Sequence, residues 1–246
     1  MRRTAFILRL LVTMSATLAA ACSVTDDYRV PTNLELAADA DLIVLARVES
    51  GPTDFNFQKA ALVVTPIEVL KGSLPAVKPL TLMGMIAEPR FAVKSDPVQL
   101  EQAHPLSYIG GCIRYMFVKG STVLFFVKPA AKAYGADVPA ELKGTLVPAG
   151  GAFSRWAEDV PSADAPWVRA TKIYIRAALL PKNQQHAFLA SQRDVLLKAP
   201  DPYSKLIGAD VDRQLAGPNK PWNELMEEEI KRMEQREKQA PKAGRS

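Results

Sequence analysis

Two apolar runs frame the first half of the chain, Leu42-Ile43-Val44-Leu45-Ala46-Arg47-Val48-Glu49 and Thr122-Val123-Leu124-Phe125-Phe126-Val127-Lys128. Both are rich in β-branched and aromatic residues. Turn residues bound them, Ser50-Gly51-Pro52 after the first and Lys119-Gly120-Ser121 before the second, and both read as strands. The first is apolar on both faces up to Leu45 and then alternates with Arg47 and Glu49 outward, which predicts a strand central at its start and exposed at its end. Over residues 61–69 the odd positions Ala61, Val63, Thr65, Ile67 and Val69 form one mostly apolar face, which Lys71-Gly72 ends. Pro66 has no N–H for a ladder bond and belongs at an edge or a bulge. A third strand is read at residues 79–83. Residues 84–111, with Pro89, Pro97 and Pro105, read as loop with one helical turn near residues 98–102. A small β-barrel is expected, with Val44, Val63, Val69, Leu124 and Phe126 in one core.

The period changes in the second half. Residues 34–38 suggest a short helix or an irregular approach to the first strand, but the longer helical signals come after residue 160. Asp164-Ala165-Pro166 resembles a helix start with a capping acid. From there Val168, Thr171, Ile175, Ala178 and Leu179 share a face, while Arg169, Lys172 and Arg176 form a basic stripe, an ordinary solvated face or a contact for acidic lipid or a nucleic acid. Pro181 breaks the run, and a second helix turns Phe188, Leu189, Gln192, Val195 and Leu196 toward the fold. Beyond Pro202 the packing signal thins. Pro221 then opens a last helix with the stripe Trp222, Met226, Ile230 and Met233 and the i,i+4 pairs Glu227–Lys231, Glu228–Arg232 and Glu234–Lys238. The expected organisation is a barrel over residues 34–160, a helical extension of two or three helices over 161–239 and a disordered tail at 240–246, a mainly β chain of the α+β class.

The leader changes how the charge is read. Residues 1–21 carry Arg2, Arg3 and Arg9, then an apolar stretch and Ala19-Ala20-Ala21, the tripartite pattern of a secretory signal peptide. The stretch is interrupted by Thr13, Ser15 and Thr17 and is shorter than the about 20 apolar residues of a membrane span. Without the leader the 31 basic residues fall to 28 against 26 acidic ones, so the whole-chain charge of +5 becomes +2. That is no polyanion footprint, and no nucleic-acid partner is expected.

Leu18-Ala19-Ala20-Ala21-Cys22 resembles the lipobox of bacterial lipoproteins, with Ala19 where the motif usually has Leu. The resemblance implies lipidation of Cys22, a membrane anchor through that lipid and, because Ser23 follows, the outer membrane. Residues 22–33 then read as a tether. The same small residues also suit a general signal peptidase, which leaves a soluble periplasmic or secreted protein. The chain has two cysteines, Cys22 and Cys112, so a disulfide between them is open only if Cys22 is not lipidated. With Cys22 lipidated, Cys112 is expected as a reduced thiol. No metal site or cofactor is expected, since His104 and His186 sit in no ligand spacing.

Asp39-Ala40-Asp41-Leu42-Ile43-Val44-Leu45-Ala46, Ile67-Glu68-Val69-Leu70-Lys71-Gly72, Cys112 ahead of Phe117-Val118-Lys119-Gly120, and Val123-Leu124-Phe125-Phe126-Val127 resemble, in that order, the netrin-like domain of tissue inhibitors of metalloproteinases. The resemblance implies a five-stranded OB barrel, with Gly144-Thr145-Leu146-Val147-Pro148 as its fifth strand. In that family the mature N-terminal cysteine chelates the protease zinc through its free amine and carbonyl. The matching position is Cys22, and acylation of its amine removes that ability.

No nucleophile elbow, zinc-binding helix, phosphate loop or dinucleotide fingerprint is present. Gly110-Gly111-Cys112 could present a thiol nucleophile, but His104, the base it needs, lies in a Pro-flanked segment read as loose. The expected function is an exported, lipid-anchored binding or scaffolding module of the cell envelope and not an enzyme. A protease-inhibitor-like protein with a free Cys22 is the first alternative, and a cysteine-dependent hydrolase the second.

Overall fold

The computed structural model describes residues 24–53, 61–76 and 79–239. The strand β1 (Leu42–Ser50) is bonded on both edges, antiparallel to β2 (Ala61–Lys71) and antiparallel to β6 (Thr122–Pro129). From β2 the sheet continues antiparallel to β3 (Leu80–Met83). β7 (Leu146–Pro148) then lies parallel to β3 and antiparallel to β6. The order β1-β2-β3-β7-β6 returning to β1 closes a five-stranded mixed barrel of OB type. β8 (Ala157–Asp159) pairs with the first half of β6, and β7 with its last residues. Within the long excursion β4 (Met85–Ile86) pairs in parallel with β5 (Met116–Phe117), and single 3-10 turns lie at Pro89–Phe91 and Pro105–Tyr108. The helical turn expected near residues 98–102 is therefore displaced to the Pro105–Tyr108 turn, which His104 caps by accepting from Leu106 N.

Both faces of the sheet are buried, which explains the unbroken apolar runs. Leu42, Val44, Ala46 and Val48 of β1 fill the barrel with Leu62, Val64, Leu82, Phe125 and Trp156. Ile43, Leu45, Leu124 and Phe126 point outward and are covered by helices. The single core expected for Val44, Val63, Val69, Leu124 and Phe126 is thus corrected: Val44 lies inside, Leu124 and Phe126 outside. In β2 the inward residues are Leu62 and Val64, and Val69 is 39 % exposed. The phase was misread because Leu62-Val63-Val64 is apolar on both faces and because the register slips farther along. Ala46 pairs with Pro66 but Leu45 with Glu68, so Ile67 is an extra, bulged residue and the alternation changes face there. Pro66 beside that bulge fits its missing donor. Gly72 ends the strand with φ of 80°, and a Cβ there would lie 2.0 Å from the Asp41 carbonyl oxygen.

Among the described residues six helices dress the barrel. α1 (Asn33–Asp39) starts from a capping box in which Glu35 N donates to Thr32 Oγ1 at 3.2 Å and Thr32 N to Glu35 Oε2 at 2.8 Å. α2 (Ala130–Tyr134) is a short turn after β6. α3 (Pro166–Ala178) buries Val168, Thr171, Tyr174 and Ile175 against the outer barrel face, with the Trp167 ring 5.5 Å from that of Phe126. Ala165, not Asp164, occupies its cap and makes no side-chain bond, so Pro166 in the first turn sets the start. Leu179, expected on the buried face, is 75 % exposed past the helix end. α4 (Lys182–Lys198) buries Leu189 and leaves Val195 65 % exposed.

The span where the packing signal thinned is a full helix, α5 (Pro202–Leu215), capped by Asp201 accepting from Ser204 N at 2.8 Å and burying Ile207, Asp210 and Val211. α6 (Trp222–Gln239) leaves Met226 and Ile230 largely exposed. The barrel's outer face and helices α1, α3, α4 and α5 share one core. Residues 24–31, read as part of a tether, lie along the body: Tyr28 Oη donates to Ala152 O at 2.7 Å, and Trp222 N donates to Tyr28 O at 2.7 Å. The leader, Cys22 and the tail from residue 240 lie outside the described residues. No described helix is long and apolar enough to cross a membrane.

Candidate functional site

β8 and Arg155 just before it carry three charged side chains into the interior, and the segment before β5 adds Arg114, a costly arrangement unless each charge is compensated. Arg114, fully buried, is compensated throughout. It donates from Nη2 to Asp159 Oδ2 at 2.9 Å, from Nη1 to Ala157 O at 3.1 Å and from Nε to Met116 O at 3.3 Å, and it lies 4.6 Å from the Phe117 ring. Glu158, 2 % exposed, accepts from Ser95 Oγ at 2.5 Å and from His104 N at 3.0 Å. The backbone N of Ser95 donates to Asp159 Oδ2 at 3.0 Å.

His104 is 1 % exposed in this network, which corrects the loose segment expected around it. Its Nδ1 accepts from Leu106 N at 3.1 Å, so the proton sits on Nε2, which donates to Val93 O at 3.0 Å. Burial and the nearby Arg114 hold its pKa below the ordinary imidazole value. These contacts close the excursion onto the barrel end and leave His104 in a positioning role.

Arg155 contrasts with Arg114. It is 5 % exposed, its guanidinium lies 4.5 Å from the Trp167 ring, and Glu158 Oε1 is 3.5 Å from its Nε. Yet its buried Nε and Nη1 make no hydrogen bond. Buried atoms without a partner on neighbouring residues, Ser154 Oγ and Trp167 Nε1, add to the deficit, as does Thr171 Oγ1 one turn along α3. Each such group costs about 1–3 kcal/mol if nothing bonds it; Arg155 also lines a cavity, whereas Ser154, Trp167 and Thr171 are not among the residues of its wall.

Arg155 lines a cavity of about 120 Å³ together with Asn33, Tyr108, Phe153, Asp210 and Arg213. The acidic wall is already neutralised. The fully buried Asp210 accepts from Asn33 Nδ2 at 3.0 Å, from Arg213 Nη2 at 2.7 Å and from the Tyr174 hydroxyl. Burial, with Asp210 beside it, pushes the Tyr174 phenol well above its ordinary pKa. The opposite wall is aromatic. Tyr108 stacks on Phe153 at 5.6 Å, and Phe153 on Trp222 at 4.3 Å. The N-terminal segment runs alongside, held where Asn219 Nδ2 donates to Val30 O at 2.8 Å, and burial pushes the Tyr28 phenol up to about 12. A larger hollow of about 400 Å³ lies at the β2–β3 turn, lined by Val64, Pro66, Leu74 and Leu80, with no charged side chain in its wall among the described residues.

Of the residues singled out in the sequence, Cys112 is buried with φ of 58° and its carbonyl accepts from Phe153 N at 2.7 Å. It is disulfide-bonded, which differs from the reduced thiol expected beside a lipidated Cys22 and from a free nucleophile. Lipidation of Cys22 concerns a residue outside the described ones. His186 is exposed on α4. The basic stripe of α3 is engaged within the fold: Lys172 pairs with Glu68 at 2.9 Å, Arg169 donates to Ser204 Oγ at 2.7 Å, and Arg176 lies 5.4 Å from the Phe188 ring. Among the described residues no group of three or more His, Cys, Asp or Glu is placed to hold a metal ion.

Arg114, Arg155, Glu158 and Asp210 were not singled out in the sequence, although each is a charge set in an apolar or aromatic context. Comparison with known proteins finds no family, no curated protein and no solved structure that matches this chain.

Proposed function

We propose that this chain is an exported binding module of the cell envelope, built on a netrin-like OB barrel, with the Arg155 cavity as its site. The observation that carries the binding reading is a buried arginine in the wall of a cavity, whose Nε and Nη1 make no hydrogen bond and whose nearest carboxylate, Glu158, stands at 3.5 Å. Export is supported by the leader and by the disulfide at Cys112, since such bonds persist in oxidising compartments and are rare in the cytosol. With two cysteines in the chain, that disulfide favours a Cys22 whose sulfur is bridged and not lipidated. The anchored form, in the outer membrane, is the competing arrangement.

Two experiments test this reading. The mass of the mature N-terminal peptide from the native host separates lipidated, bridged and free Cys22, and full-length protein retaining Met1 in the cytoplasm ends the export claim. For binding, small molecules of both charges and of none are screened by thermal shift. Compounds that raise the melting temperature of the wild type, and do so less for Arg155→Lys, support the site; a screen with no such compound overturns it.

The same disulfide favours a second reading, in which a Cys22 with a free amine reaches a protease zinc as in the netrin-like inhibitors. Inhibition of a zinc protease by the mature protein, abolished by N-terminal acetylation, supports it. Equal inhibition after acetylation excludes it.

A further inference from the structure

We propose that α6 is a pairing surface for a second copy of this chain, the two helices lying antiparallel. The pairing is independent of what the Arg155 cavity holds. α6 is tied to the body at its start: Trp222 N donates to Tyr28 O at 2.7 Å, Asn223 N donates to Asp26 O at 3.2 Å, and the Trp222 ring stacks on Phe153 at 4.3 Å. One and two turns further on, Met226 is 43 % exposed and Ile230 47 %. Residues four apart share a helix face, and the described residues leave this apolar one open to solvent. Most of a helix's stability in a protein comes from packing such a face, and the 18 residues of α6 extend over about 27 Å. The face of α6 is thus completed from outside its own chain.

Charge selects the partner and its direction. Residues 222–230 carry four glutamates and no base, whereas residues 231–239 carry Lys231, Arg232, Arg236 and Lys238 against two glutamates. A second α6 laid antiparallel brings each acidic half against a basic one; laid parallel, it brings acid against acid. Centred between residues 229 and 230, the antiparallel pair sets position 226 of each helix across from 233 of the other, methionine against methionine. The same register sets positions 227 and 228 across from 232 and 231, acid against base. Within the chain Glu228 pairs with Lys220 and Glu227 lies 3.8 Å from Lys231, both at the exposed surface, where such pairs contribute little by themselves. An anionic lipid surface would meet the glutamates beside the apolar stripe and be repelled by them. The pairing is isologous, so every contact occurs twice.

The test is sedimentation equilibrium of the disulfide-intact protein over a series of concentrations, at about 0.05 M and about 0.5 M salt, on wild type, Ile230→Glu and Glu227→Lys. The wild type is expected to associate reversibly to a dimer. Ile230→Glu sets two charges into the apolar seam and should raise the dissociation constant at least about tenfold. Glu227→Lys removes two attractions and should raise it at least about threefold. High salt should weaken the wild-type dimer, because the opposed charges attract, and this arm needs no variant. Ile230 and Glu227 are both exposed, and circular dichroism shows that the variants keep their helix content. The mass of one chain at every concentration overturns the pairing, and binding of that monomer to phosphatidylcholine vesicles would assign the stripe to lipid instead. A dimer unchanged by Ile230→Glu overturns it in favour of another surface. A dimer that tightens with salt and with Glu227→Lys overturns the antiparallel order in favour of parallel helices.

Discussion

Arg114 and Arg155 are both buried against an aromatic ring, Phe117 and Trp167, and differ in their polar partners. Arg114 gives its donors to two carbonyls and a carboxylate; Arg155 makes no hydrogen bond from Nε or Nη1 and has the Glu158 carboxylate at 3.5 Å. Burial alone therefore does not tell how a cation is compensated. The hydrogen-bond inventory does, because desolvating a guanidinium is tolerable only where its donors are met. The contrast extends to the acids. Asp159 is tied to Arg114 at 2.9 Å, whereas Glu158 is satisfied by Ser95 and His104 and stays bonded whatever Arg155 does.

The largest effect that sharpens this contrast is expected from Arg114→Met. It removes three hydrogen bonds and leaves Asp159 buried without its cation, and should lower unfolding free energy by about 3–5 kcal/mol. Chemical denaturation measures this, and a loss under about 1 kcal/mol would make the two arginines equivalent and dissolve the argument. Next comes Arg155→Met, which removes a ring contact and the 3.5 Å ion pair with Glu158 but no hydrogen bond. Because Glu158 keeps its bonds from Ser95 and His104, the cost should stay below that of Arg114→Met, at about 1–2 kcal/mol by the same measurement. A loss as large as that of Arg114→Met would show that Arg155 is structural.

The smallest effect is a pH slope centred on His104. Its folded-state pKa lies below the ordinary 6.5, so below that pH the unfolded chain binds a proton that the folded one refuses. Stability should therefore fall as pH drops through about 6.5 toward the folded value, while above it this group contributes nothing. Urea midpoints between pH 7.5 and 5.5 report it, and His104→Gln should lack that part of the slope. An identical slope in the variant would assign it to other groups.

Much of the barrel was legible in sequence because both-sided burial writes long apolar runs, and β1 and β6 stand where those runs are. Facing was less legible. Strand period reveals which residues alternate, but a run such as Leu62-Val63-Val64 has no polar member to fix the phase, and the bulge at Ile67 inverts it without any change in composition. α5 was missed for a related reason. Its buried face carries Asp210 among Ile207 and Val211, so the apolar stripe looks broken at the residue that ties Asn33, Tyr174 and Arg213 together. The site was the least legible part. Arg155 sits in Phe153-Ser154-Arg155-Trp156, between two periodic segments, and the donors and acceptors around it come from residues 33, 108, 158 and 213. No spacing rule joins positions so far apart. An arginine between two aromatic residues is the one local sign that it would be held inside.

The double pairing of β1 also has a cost in time. Its partner β2 follows within a hairpin, but its partner β6 is made much later. At a synthesis rate of about 5–20 residues per second, the roughly 60 residues from Lys71, where the hairpin ends, to the end of β6 take about 3–12 s to emerge. Through that interval Leu42, Ile43, Val44 and Leu45 form half of a sheet with one edge open, the kind of edge that pairs with other chains. The nascent protein is thus most exposed to aggregation after its hairpin has formed and before Thr122 to Pro129 arrive, and a chaperone acting on it has its task in that window.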